Sequence, residues 1–131
     1  MSQEIHFEHI VAYHQDTPAF HLKLFGPKGF NEVLVTFDTG SQYSLFDGGR
    51  AGDIGIDLLE GKEITLSSLG GAVKGYLHRV ALEIEGSRFA ADVVFSLNPI
   101  PRELLGRHTL FEQTTWGLRE SRREIYFSPR P

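Results

Sequence analysis

The chain has 131 residues, 40% hydrophobic and 23% charged, which is the balance of an ordinary folded domain and excludes a disordered, collagenous or coiled-coil chain. Its formal net charge of -4 argues against a phosphate-binding surface, although residues 102–131 are rich in arginine, and the absence of cysteine excludes a disulfide framework, a thiolate nucleophile and a cysteine-ligated metal. Met1-Ser2-Gln3-Glu4-Ile5-His6 lacks a basic stretch followed by an apolar core, and no apolar run reaches membrane-spanning length, so the cytoplasm is the expected compartment, with neither nucleic acid nor a membrane as partner.

In chain order, Phe20, Leu22 and Leu24 alternate with His21 and Lys23. A Gly26-Pro27-Lys28-Gly29 turn follows, then Val33, Val35 and Phe37, which predicts a β-hairpin running into Asp38. Beyond Asp38-Thr39-Gly40-Ser41 lies a short apolar strand, Leu45-Phe46, and a glycine-interrupted stretch from Asp47 to Ile56 with a helical signal. Tyr76, His78, Val80, Leu82 and Ile84 then face one way, with Arg79, Ala81, Glu83 and Glu85 facing the other. Glu85-Gly86-Ser87 turns the chain into Phe89, Ala91, Val93 and Phe95, a second hairpin held in register by its pleat. Arg107 to Gln113 reads as a short helix, and Trp116 to Arg119 with Glu124 to Phe127 as a last strand pair. With no repeat, low-complexity tract or linker, the strands are expected to share one core. The prediction is a mainly β, single-domain chain over residues 1–131, forming a partly closed barrel or sandwich.

The chemistry concentrates at Asp38. It stands at the end of an apolar strand, on a loop where Gly40 permits a tight bend and close backbone approach, and where Thr39 and Ser41 offer hydroxyls to the carboxylate or its neighbours. The tripeptide alone reads more readily as an Asx turn joining two strands, with Asp38 bonded to its own backbone and no chemistry.

Two further segments change that balance. Glu103-Leu104-Leu105-Gly106-Arg107 is an apolar pair followed by glycine, and between it and Asp38 lies the glycine-bearing stretch Leu66-Ser67-Ser68-Leu69-Gly70-Gly71-Ala72-Val73-Lys74-Gly75. In this order the three elements resemble those of the retropepsin-like, or retroviral-type, single-domain aspartic proteases and their bacterial homologues, over a core of about residues 20–127. The resemblance implies an acid-protease-type β-barrel with one short C-terminal helix, forming one subunit of a two-fold dimer. It implies that Asp38 is catalytic and that Thr39, Gly40 and Ser41 support its loop. Leu69, Gly70, Gly71, Ala72 and Val73 would form a substrate-binding flap, and Leu104, Leu105, Gly106 and Arg107 a structural strand threading behind the loop.

The chain departs from the retroviral pattern at two places. Gln42 stands where an acidic residue is usual, and His108 follows Arg107 where Asn or Asp is usual, so Arg107 lacks its usual ion-pair partner. Ser41, in place of a common alanine, is expected to hydrogen-bond the Asp38 carboxylate, favour its ionised form and move the pH optimum toward acid.

Peptide hydrolysis without a metal or a covalent intermediate needs one carboxylate to activate water and one carboxylic acid to protonate the carbonyl. Two such groups in close contact share a proton and titrate as a pair. The chain has one Asp-Thr-Gly and no length for a second lobe, so a two-fold homodimer would bring Asp38 to its counterpart, with the two Thr39 side chains bonding across the interface. The expected function is an aspartic endopeptidase acting on peptide or protein substrates as a homodimer. The alternative is an acid-protease-fold module, weak or inactive as a catalyst, that serves dimerisation or peptide binding. Residues 1–17 and 116–131 are candidates for dimer packing, although Ile5, Phe7, Tyr126 and Phe127 suit covering the subunit's own barrel equally well.

Other constellations carry less. His6 and His9 face opposite sides of a strand and no nearby pair has helical metal-ligand spacing, so neither a metal nor a cofactor is expected. No G-x-S-x-G occurs, and the glycines at 48, 49, 52 and 55 match no dinucleotide fingerprint. Asp47, Asp53 and Asp57 lie among those glycines and read as solvated loop acids.

Overall fold

The computed structural model describes residues 2–14, 16–68 and 70–131. Ten strands organise it: β1 (His9–Ala12), β2 (Ala19–Gly26), β3 (Gly29–Phe37), β4 (Leu45–Phe46), β5 (Lys62–Ser68), β6 (Gly71–Ile84), β7 (Ser87–Ser96), β8 (Leu104–Leu105), β9 (Thr115–Arg119) and β10 (Glu124–Ser128). One short helix, α1 (Gly49–Asp53), and two 3-10 turns, Leu58–Glu60 and Glu120–Arg122, complete the order. Among the described residues no helix is long and apolar enough to cross a membrane.

Both sequence-predicted hairpins form. Gly26 pairs with Gly29 across Pro27-Lys28, and Ile84 pairs with Ser87 across Glu85-Gly86. Glu85 and Gly86 both have positive φ, 49° and 80°, the backbone hand that matches the twist of the flanking strands. Seven strands lie in the order β2-β3-β8-β4-β7-β6-β5, and β2 also pairs with β6 through Lys23–Glu83, Leu24–Leu82 and Phe25–Ala81, so the sheet closes on itself. The inward alternation of the two hairpins fills the barrel with Leu22, Leu24, Val33, Val35, Leu82, Ile84 and Val93, all at most 2% exposed. Burying each such side chain contributes about 1.5–3 kcal/mol, against roughly 0–1 kcal/mol for a surface ion pair such as Lys74–Glu63, so the apolar interior holds this fold.

A second sheet, β1-β10-β9, caps one side. Its inward residues Ile125 and Phe127 join the barrel's core, and the Trp116 ring lies 4.5 to 5.8 Å, centroid to centroid, from Phe127, Phe37, Phe20 and Phe111. This aromatic cluster supports the end of β3, one residue before Asp38. On the outward face Phe7 packs on Tyr126 and over Gly117, while Ile5 and Ile10 remain exposed. The terminal segments thus cover their own barrel with one face and leave apolar side chains uncovered on the other.

The helix expected over residues 107–113 is replaced by turns. Phe111 N donates to Arg107 O at 3.0 Å, one helical turn, but Thr109 adopts a left-handed φ of 62°, so the turn does not propagate. The helical signal around Asp47 to Ile56 is realised as α1.

Candidate active site

The barrel's connectivity creates the Asp38 loop. β8 is inserted between β3 and β4, parallel to β3 (Thr36–Leu104, Phe37–Leu105) and antiparallel to β4 (Leu45–Leu104), so the chain leaving β3 must arch over the end of β8 to reach β4. Residues 38–44 make that arch. Asp38 N donates to Leu105 O at 3.1 Å, Arg107 N to Ser41 O at 3.0 Å, His108 N to Gln42 O at 2.6 Å and Gly106 N to the buried Ser44 Oγ at 3.0 Å. These bonds satisfy backbone groups on both segments at once, which fixes the arch without regular secondary structure. Leu104, Leu105, Gly106 and Arg107 therefore meet the Asp38 loop through their backbones.

Asp38 itself is half-buried, with Thr39 and Gly40 exposed beside it. Its Oδ1 accepts from Gly40 N at 3.0 Å, and its Oδ2 makes no hydrogen bond among the described residues. Ser41 does not bond the carboxylate. Its Oγ donates to Tyr43 O at 2.7 Å, because the arch turns its side chain toward the backbone beneath, and the basis for an acid-shifted optimum disappears.

Two adjoining concavities, of about 680 and 520 Å³, share Asp38, Ser41, Leu66, Ser67 and Leu104. Gln42, Tyr43, Thr65 and Arg107 continue the larger; Leu45, Val73, Ile100, Pro101 and Arg102 continue the smaller. The hairpin of β5 and β6, paired from Lys62–Leu77 to Ser68–Gly71, supplies their far wall. From Gly75–Ser96 onward β6 also pairs with β7, residues 75–77 lying between both neighbours, so one continuous strand belongs to the barrel at one end and to the overhanging hairpin at the other. Val73 lines the smaller concavity, Gly70, Gly71 and Ala72 are exposed toward the hairpin tip, and Leu69 lies outside the described residues.

Behind the smaller concavity, residues 100–104 are tied to α1. Arg50 meets Glu103 in a bidentate pair, Nε to Oε2 and Nη2 to Oε1 both at 2.6 Å, and Asp47 N donates to Glu103 Oε2 at 3.1 Å. The hydrogen bond to Glu103 is the main cause that raises the Arg50 pKa above its ordinary value. Asp53 and Asp57 are exposed, as expected of solvated loop acids, but Asp57 accepts from Leu59 N at 3.2 Å, and Asp47 accepts from Gly49 N at 2.9 Å and Ile100 N at 3.2 Å, so these two acids also organise backbone. The N-terminal histidines separate: His9 stacks on Phe127 and His6 lies 3.6 Å from Glu4. Among the described residues no group of three His, Asp or Glu side chains is placed to hold a metal ion.

The lining residues Tyr43, Ile64, Thr65, Ile100, Pro101 and Arg102 carry no motif that marks them in the sequence. For the β5 wall a signal existed, since Ile64 and Leu66 alternate with polar residues across Lys62–Ser68.

No protein-family model matches the chain, and no curated protein matches it. Solved structures do. A retropepsin-like aspartic protease from Rickettsia conorii is similar with a TM-score of 0.67 at 19% identity, over 94% of this chain and 99% of that one. EIAV protease, in a complex with the inhibitor HBY-793, is similar with a TM-score of 0.56 at 19% identity, over 74% of this chain and 88% of that one. The chain has a retropepsin-like fold.

Proposed function

We propose that this retropepsin-like fold carries an aspartic-type endopeptidase, a hydrolase of peptide bonds that works as a homodimer with Asp38 of each copy meeting across a two-fold axis. The observation that carries the proposal is the setting of Asp38. It lies on a loop stitched to β8, at the junction of two concavities walled by a hairpin, with one carboxylate oxygen held by Gly40 N and no second carboxylate among the lining residues. The likeness to two solved aspartic proteases supports the same chemistry.

One carboxylate cannot be both base and acid at the same moment. With two, the ionised Asp38 takes a proton from water as the oxygen attacks the peptide carbonyl, and the protonated one gives its proton to the carbonyl oxygen. Collapse of the tetrahedral intermediate then breaks the C–N bond, the carboxyl that took the water's proton passing it to the departing amine while the other regains its own from a hydroxyl of the intermediate. The β5–β6 hairpin serves as the flap, closing over an extended peptide and excluding water. In this reading Thr39, exposed beside a surface hollow lined by Phe37, Trp116 and Leu118, meets its counterpart in the partner, and the uncovered Ile5, Ile10 and Leu118 offer apolar contact area.

The test is cleavage of an unbiased peptide library between about pH 4 and 7.5, a range chosen to span the titration of a carboxylate pair, with sedimentation of the same samples. Cleavage by the wild type that is abolished by Asp38→Asn, and by an inhibitor mimicking the tetrahedral intermediate, is the expected result. A well-folded dimer without cleavage at any pH would overturn the enzyme and leave the peptide-binding or dimerisation module in its place.

A further inference from the structure

Most arginines of the chain are paired with carboxylates: Arg50 with Glu103, Arg79 with Asp92, Arg88 with Glu83, Arg123 with Asp16 and Arg130 with Glu8. Arg102, Arg107, Arg119 and Arg122 make no ion pair among the described residues, and of these Arg107 and Arg102 line the concavities at Asp38. Both are exposed, neither side chain makes an ion pair or hydrogen bond among the described residues, and each lines one of the two concavities that share Asp38. The larger concavity has no charged lining residue besides Asp38 and Arg107, and the smaller none besides Asp38 and Arg102. On a chain of net charge -4 the groove therefore carries two unpaired guanidinium groups against one carboxylate.

Position adds to charge. Arg107 is anchored through its backbone, its N–H on Ser41 O and its carbonyl accepting from Phe111 N, so its side chain starts from a fixed point one residue beyond Gly106. Gln42, which lines the same concavity, is neutral, and Glu112, which shares a neighbouring hollow with Arg107, makes no ion pair with it among the described residues. Arg102 follows Pro101 at the rim of a concavity whose other walls are largely apolar: Leu45, Leu66, Val73, Ile100 and Leu104.

From this arrangement we infer that the groove selects acidic peptides, taking an apolar side chain in the smaller concavity while flanking Asp or Glu carboxylates meet Arg107 and Arg102, which makes these two arginines specificity-determining residues. The inference deepens the proposed function and rests on that site being the place where peptides bind. A planar guanidinium accepts a carboxylate in a two-pronged geometry that an amide or ammonium side chain cannot reproduce, so the discrimination falls on charge and shape together.

Three labelled peptide pools test it, each with a central Leu or Phe flanked by Glu in the first, Gln in the second and Lys in the third, at otherwise random positions. Binding is read by fluorescence anisotropy on Asp38→Asn protein, whose Asn oxygen keeps the bond from Gly40 N while turnover stops, and cleavage of the same pools is followed with the Asp38 protein. The Glu pool is expected to bind about fivefold or more tighter than the Gln pool and to lose that margin as salt rises. Arg107→Gln and Arg102→Gln should each reduce the margin, and Arg107→Glu should shift preference toward Lys. Equal binding of all three pools, no binding of any, or a Glu preference unchanged in both arginine variants would overturn the inference. Glu-selective binding without cleavage sinks the protease alone, whereas cleavage indifferent to Glu, Gln and Lys sinks the acidic preference alone.

Discussion

A methyl group built on Gly106 would stand 2.2 Å from the carbonyl oxygen of Tyr43, so β8 leaves the barrel in direct backbone contact with the loop that carries Asp38. The same methyl would lie 2.4 Å from the Tyr43 carbonyl carbon and 2.9 Å from Ser41 O. All three are backbone atoms, held in place by the hydrogen bonds between residues 38–44 and 105–108, and none can swing aside as a flexible side chain would.

Gly106→Ala should therefore lower stability by about 1–3 kcal/mol and displace the Asp38 arch. Urea denaturation measures the first effect, and the backbone amide shifts of residues 38–44 report the second. Wild-type stability with unmoved amides would show that the contact is looser than this geometry implies.

Ser44 is 1% exposed and its Oγ accepts from Gly106 N. Ser44→Ala leaves that N–H buried without an acceptor and should cost about 1–3 kcal/mol, more than removing a surface hydroxyl. Hydrogen exchange at the Gly106 amide should accelerate in the variant. An unchanged midpoint in urea would mean that water takes the place of the hydroxyl.

What could be read from sequence follows the range of the interactions. The Gly26–Gly29 and Glu85–Gly86 hairpins were legible because period-two alternation and a turn are local signals, and the Asp38 loop because its residue types are specific. Ser44 was not, since its use depends on a strand arriving 62 residues later. The pair of Arg50 with Glu103 spans 53 residues and leaves no periodic trace in either segment. The turn at 107–113 misled because helix propensity says nothing of Thr109, whose left-handed backbone ends the first turn, while its hydroxyl accepts from Asp92 N at 2.9 Å.

The Arg50–Glu103 pair makes a separable prediction. The Glu103 side chain is 13% exposed and that of Arg50 29%, so Arg50→Ala strands a mostly buried carboxylate with Asp47 N as its one remaining donor among the described residues. A loss of about 1–3 kcal/mol is expected, below the full cost of breaking a deeply buried pair because water reaches Arg50. Adding Glu103→Gln should recover part of it, since the stranded group is then neutral. A double-mutant cycle reads the coupling, and additive losses would show that the two side chains do not depend on each other.

Tyr13 gives the chain a predicted alkaline limit. Its ring is 2% exposed within the core, its hydroxyl donates to Glu120 Oε2, and its backbone N–H donates to Arg123 O at 2.9 Å, so one residue ties the end of β1 to the turn before β10. The hydrogen bond to Glu120 is the largest cause raising the Tyr13 pKa above 10.0, followed by burial and the Glu120 charge, with Arg123 acting in the opposite sense. A raised folded-state value means that the fold binds the phenolic proton more tightly than the unfolded chain does. The stabilisation is whole below the unfolded value of 10.0 and is lost as pH climbs through the higher folded value. In Tyr13→Phe the hydroxyl is absent at every pH, so wild type should be the more stable of the two in mildly alkaline solution, with the gap closing as pH rises past that window. Urea midpoints of both proteins across the alkaline range, beside the ultraviolet titration of tyrosinate, measure this, and a gap that stays constant would assign the residue's contribution to packing of its ring alone.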